Sequence, residues 1–144
     1  MMNAGRRPSD AISLLQRLII SEGKDQEAAA WCASGVSAWL RFGKPIQLPR
    51  CLGLQASPDS VKKALRDALL RQAASMLKET GPWDRAKALA RHAIRFETSL
   101  WRRICNLSTP PEQADEMTRL LFYARRAAAF PESTQQFYNI ITKT

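Results

Sequence analysis

Two junctions, Ser57-Pro58 and Gly81-Pro82, constrain this chain more than any other feature. Proline costs nothing in the first turn of a helix, where the N–H it lacks has no intrahelical partner; inside a helix it removes a bond and clashes. Each junction therefore reads as a helix start, with Ser57 as a cap before the first. The remaining punctuation agrees. Ser9 is placed to cap a helix over "DAISLLQRLIISE", stopped at Gly23, and a second helix runs from about Asp25 to Phe42, ended by Gly43 and Pro45. A connector follows, with room for one helical turn at Leu48 to Leu52. The third helix runs from Pro58 to about Glu79, the fourth from about 82 to 106. The pattern Thr109-Pro-Pro-Glu112 reads as a capping box that opens a fifth helix to about Ala129, and Pro131 precedes a last helix over about 132 to 141. No stretch sustains period-two alternation, so no sheet is expected. The predicted fold is all-α: one domain over residues 1–144, a single compact bundle of five to six helices, with residues 1–8 flexible.

A chain of 144 residues, 45% of them hydrophobic, can bury a core without metals or disulfides. The second helix carries Ala28, Trp31, Cys32, Val36, Trp39 and Leu40 over much of its circumference, which places it at the centre. The expected core joins Trp31, Val36 and Trp39 to Leu65, Phe96, Leu100 and Leu121. Cys32, Cys51 and Cys105 are odd in number and widely spaced, which argues against a disulfide framework or a zinc knuckle and for buried free thiols in a reducing compartment. No run of residues approaches the ~18–20 apolar positions of a membrane span, and the basic N-terminus lacks the cleavage site of a secretory signal, so the expected location is cytoplasmic.

The formal charge is +9, from 22 Lys and Arg against 13 Asp and Glu. Such an excess repels itself and attracts polyanions. On a helical wheel at ~100° per residue, the fourth helix puts Trp83, Leu89, Ala93, Phe96, Leu100 and Trp101 on one broad side. Lys87, Arg91, Arg95 and Arg102 fall within roughly 80° on the other, in a row of ~22 Å. Solvated helix faces usually alternate acids with bases at i,i+4; here like charges repeat at that spacing and no acid relieves them after Asp84. Arginine outnumbers lysine 15 to 7, and guanidinium forks suit phosphate oxygens.

Helix five carries a smaller set, Arg119, Tyr123 and Arg126, in which the tyrosine is a candidate for base stacking or for packing on a neighbouring helix. Glu97 lies within the apolar side of helix four. Burying it alone is expensive, so a structural ion pair is expected, with Arg125, Arg126 or Arg17 as the cation. The single histidine, His92, sits at the edge of that side and reads as a boundary residue rather than a base or ligand.

Leu48, Cys51-Leu52-Gly53-Leu54, Ser57, Val61 and Leu65 resemble the helix-turn-helix pattern of bacterial regulators, over about 18 of the 144 residues. The resemblance implies that Ser60, Lys62, Lys63 and Arg66 face a major groove and its phosphates. Three features depart from the pattern: Gln55-Ala56 lengthen the turn, Pro49 shortens the first helix, and the second helix is long.

These observations together point to a small basic nucleic-acid-binding protein, without catalytic, metal or cofactor residues, acting alone or as a helical subunit of a nucleoprotein complex. Its expected contacts are Lys87, Arg91, Arg95 and Arg102, then Arg119, Tyr123 and Arg126, with Lys62, Lys63 and Arg66 as secondary candidates. The alternative is an adaptor or inhibitor whose basic face meets an acidic protein. DNA and RNA are equally open, no membrane partner or small-molecule substrate is expected, and the scattered acids do not suit a metal-dependent nuclease.

Overall fold

Helix starts set the architecture, and the computed structural model places them close to their sequence signals. It describes residues 8–42, 48–54 and 57–143; the N-terminal residues 1–7, expected to be flexible, the stop at Gly43 to Pro45 and the turn at Gln55-Ala56 lie outside these. The elements are α1 (Pro8–Ile20), α2 (Gln26–Phe42), the single turn α3 (Leu48–Cys51), α4 (Pro58–Ser75), α5 (Pro82–Arg95), a π-helical segment (Phe96–Trp101), α6 (Arg102–Ile104), α7 (Glu116–Ala127) and α8 (Thr134–Thr142). Helical backbone runs unbroken from α5 through the π segment into α6, so the described residues form seven helices and no strand. The count exceeds the expected five or six because the turn at Leu48 is a helix of its own.

The chain divides into two compact units, residues 1–65 and 66–144, with α4 beginning in the first and ending in the second. In the first unit, Ala11 and Leu14 of α1 meet Ala28 and Trp31 of α2, and Leu54 completes the buried cluster. The Trp31 indole donates to the Leu52 carbonyl at 3.0 Å, which ties α2 to the turn after α3. That turn passes through Gly53 at φ +79°, a left-handed conformation that favours glycine. Gly23, at φ +83°, ends α1 in the same way, its N–H returning to the Leu18 carbonyl at 2.9 Å.

α2 is not buried all round. Trp39 is 40% exposed and Leu40 71%, because the apolar positions of α2 spread over more of its circumference than α1 and α3 cover. Nor are the three thiols all buried: Cys51 is, whereas Cys32 and Cys105 are partly exposed.

In the second unit α5 packs chiefly on α8 and the π segment on α7. Leu69, Leu70, Leu89, Leu120 and Phe122 are fully buried. Arg71 of α4 donates to the Ile140 carbonyl at 3.4 Å, and Trp83 meets Tyr138 with ring centroids 5.6 Å apart. α4 stops at Ser75, short of the expected Glu79. α7 starts at Glu116 rather than at Thr109, because Asp115 provides the cap: its carboxylate accepts from the Thr118 N–H at 2.8 Å. α8 is capped by Ser133, which accepts from the Gln136 N–H at 3.2 Å.

Two stability measurements follow from this packing. Leu120→Ala removes a fully buried side chain and is expected to cost about 2–5 kcal/mol in urea unfolding, whereas Trp39→Ala should cost less than about 1 kcal/mol. The reverse order would mean that the apolar sides of α2 and α7 are misassigned.

The Asp115 cap has a pH signature. The Thr118 hydroxyl and N–H hold the Asp115 carboxyl below its ordinary range. A depressed folded-state value stabilises above the unfolded pKa of about 4, and the gain disappears as pH falls through the folded value. The gap between the native protein and Asp115→Ala, about 1 kcal/mol at neutral pH, is therefore expected to close below about pH 4. A gap that stays constant down to low pH would contradict the charged cap.

Candidate nucleic-acid interface

The basic row depends on how the rod from Pro82 to Ile104 is wound. Thr98 donates its hydroxyl to the Ile94 carbonyl at 2.8 Å, and Ser99 donates to the Arg95 carbonyl at 2.5 Å. These are the carbonyls that the N–H groups of Thr98 and Ser99 would take in an α-helix. Hydroxyls competing for i−4 carbonyls loosen a helix, and here the backbone widens to i→i+5 bonding from Phe96 to Trp101. One extra residue in the turn rotates everything after it by roughly 100° relative to a straight α-helix.

That rotation rearranges both sides of the rod. On the inner side, Leu100 and Trp101 are both half-buried. The Trp101 ring packs edge-on against Phe122 of α7 at 5.7 Å and lies 6.0 Å from Phe96. On the outer side, Lys87, Arg91 and Arg95 remain in line and exposed, and the next members at spacing four are Ser99 and Arg103. Arg103 leans back along the row, its Nε donating to the Ser99 carbonyl at 3.2 Å. Arg102 is exposed too, and the added rotation of roughly 100° displaces it from the line that a straight helix would give it. A constant wheel puts Arg102 on the line of Lys87, Arg91 and Arg95, and the wider turn puts Arg103 there.

Among the described residues, no ion pair involves Lys87, Arg91, Arg95, Arg102 or Arg103. Other arginines are committed. Arg17 bridges Asp25 and Glu27, each at 3.0 Å, and its guanidinium holds the Asp25 carboxyl below the usual range, helped by the Ala28 N–H. Arg125 binds both oxygens of Glu97 through Nε, at 3.1 and 2.9 Å, and its guanidinium lies 5.1 Å over the Trp101 ring. The cation for Glu97 is thus Arg125, rather than Arg126 or Arg17. The pair is not deeply buried: the Glu97 side chain is 39% exposed, because the wider turn carries it to the edge of the apolar side.

Helix α7 presents only part of the expected second set. Tyr123 is buried, its ring edge-on to Phe122 at 5.4 Å, so it offers no face to a base. Arg119 pairs with Glu116 at 3.0 Å, and the Arg126 guanidinium lies 5.3 Å over Phe122. Arg126 nevertheless remains exposed, and Arg119 is half-buried.

The segment that resembles a helix-turn-helix departs from that pattern in space as well. α3 is one turn long and packs on α2. Ser57 caps α4, accepting from the Ser60 N–H at 3.2 Å, and the two hydroxyls lie 3.0 Å apart. Lys62 and Lys63 are exposed. Arg66 is engaged by Asp67 at 2.8 Å and by the Ala129 carbonyl at 2.7 Å, so it is not displayed to a groove.

Beside the row, within the second unit, lies an open cavity of about 500 Å³. Ala93, Ile94, Phe130, Pro131 and Phe137 supply its apolar lining, and Glu97 and Glu132 also border it. Phe130 is fixed by an edge-on contact with Phe96 at 6.1 Å. The sequence gives one sign of this cavity, the apolar Ile94 beside Arg95, which is 63% exposed. His92, half-buried, takes no part in it.

Among the described residues no three or more His, Cys, Asp or Glu side chains are grouped to hold a metal ion, and no helix is long and apolar enough to cross a membrane. Comparison of the chain with protein-family models, with curated proteins and with solved structures finds no match in any of the three.

The Glu97–Arg125 pair is partly exposed to solvent, so its coupling is expected to be small. A double-mutant cycle with Glu97→Gln and Arg125→Gln should return about 0.5–1 kcal/mol. A coupling of about 3 kcal/mol or more would place the pair in a desolvated interior.

Proposed function

We propose that this protein binds nucleic acid without catalysis, holding phosphates along Lys87, Arg91, Arg95 and Arg103. The observation that carries the reading is the lack of any acid on this row, when Arg17, Arg66, Arg119 and Arg125 each have one. Like charges at i,i+4 disfavour the helix slightly, and a polyanion laid along it offsets that cost. Phosphate contact supplies affinity and register without reading sequence. The spacing of four follows one helix face over ~22 Å, a reach of several phosphates.

Charge reversal tests the row. Arg91→Glu with Arg95→Glu is expected to weaken binding to DNA and RNA and to reduce the slope of log K against log[salt] by about two contacts, close to 0.9 each on duplex. Stability should hold or rise. The same change at Lys62 and Lys63 should have a smaller effect. If the Lys62/Lys63 pair abolishes binding and the Arg91/Arg95 pair does nothing, the surface lies on α4. Absence of binding at low salt would assign the row to an acidic protein partner.

A further inference from the structure

The cavity beside the row differs from it in charge and polarity, and the contrast indicates what enters. Ile94 and Thr98 line the cavity, and both are near neighbours of Arg95 on the same rod. A strand whose phosphates lie on Arg91 and Arg95 therefore passes its lip. Glu132 repels a phosphodiester and Glu97 is already engaged by Arg125, so the backbone stays on the arginines and an uncharged part of the strand turns inward. The apolar lining includes the rings of Phe130 and Phe137, surfaces that suit a flat heterocycle. At about 500 Å³ the cavity is within the range of pockets that take small ligands, roughly 300–1,000 Å³.

We infer that the cavity lined by Ile94, Phe130 and Phe137 receives one unstacked base of a single strand whose phosphates are held by Arg91 and Arg95. The inference rests on the proposed phosphate row and adds to it a preference for single strands. A paired base cannot leave its stack without the cost of unpairing, whereas a base in a single strand turns inward cheaply. Base-to-aromatic contact is sequence-tolerant, so the preference is for strandedness rather than for one sequence.

The test compares a labelled oligothymidylate with a labelled duplex of equal length by fluorescence anisotropy at one salt concentration. The native protein is expected to bind the single strand more tightly. Ala129→Trp fills the cavity from an exposed lining position without changing charge. It should weaken single-strand binding on the order of tenfold, as loss of one stacked base does, and leave duplex binding unchanged. A second measurement needs no variant: 2-aminopurine placed centrally in the single strand should change its fluorescence on binding as its base leaves the stack. Equal affinity for the two oligonucleotides, an Ala129→Trp protein that binds both as before or loses both alike, or an unchanged 2-aminopurine signal would each overturn the pocket. In those cases a salt-dependent duplex affinity that falls in Arg91→Glu/Arg95→Glu would leave the row standing. Failure of the native protein to bind either oligonucleotide at low salt would overturn both.

Discussion

Two carbonyl oxygens, those of Ile94 and Arg95, decide the layout of the second unit. Each accepts a side-chain hydroxyl, from Thr98 and Ser99, where the backbone changes from α to π winding. The wider π turn that results carries Trp101 onto Phe122 and brings Arg125 over Trp101 and against Glu97. The same turn sets which basic residues share the outer line. Packing and surface chemistry thus have one local cause, a pair of adjacent hydroxyl residues in an otherwise strong helix former. Isolated π turns of this kind recur at functional sites, where they re-aim side chains that a regular helix would misplace.

The distribution of charge has the same economy. Arg17, Arg119 and Arg125 are tied to carboxylates, and Arg66 and Arg71 reach carbonyls at the end of a neighbouring segment. Those contacts fix side chains that hold elements in place. Among the described residues, Lys87, Arg91 and Arg95 on α5 are in no such ion pair, and their mutual repulsion is a small, persistent cost. In a chain of net charge +9 an anion laid along the row would relieve that cost. The apolar cavity with its two carboxylates lies on the neighbouring side of the rod, and the pairing of the two surfaces suits a ligand that is charged along one edge and flat and neutral along the other.

Most of the helical architecture was legible because proline, glycine and capping residues mark its boundaries. Ser57-Pro58 and Gly81-Pro82 start α4 and α5 where the sequence places them. The start of α7 was not legible, since Thr109 and Asp115 both offer caps and only the packing of Leu120 and Phe122 selects the second. The exposure of Trp39 and Leu40 was hidden for a related reason: periodicity shows which side of a helix is apolar, not how much of that side a neighbour covers. For the candidate site, Lys87, Arg91 and Arg95 were readable from spacing alone. Arg103 was not, because a wheel assumes constant rotation and the π turn breaks that assumption. Thr98-Ser99 was the available signal, two hydroxyl residues side by side in mid-helix. Tyr123 was misplaced because its spacing from Arg119 and Arg126 says nothing of the Phe122 ring that it packs against.

The central claim is that the π turn, and not a regular helix, sets the register of the phosphate-binding row, so that Arg103 belongs to it and Arg102 does not. Single substitutions of these adjacent arginines by glutamine, compared on duplex DNA over a range of salt concentrations, test it most directly. Arg103→Gln is expected to lower the salt slope by about 0.9, one phosphate contact, while Arg102→Gln leaves it at the native value. A slope lowered by Arg102→Gln and untouched by Arg103→Gln would contradict the account and return the row to a straight α-helix.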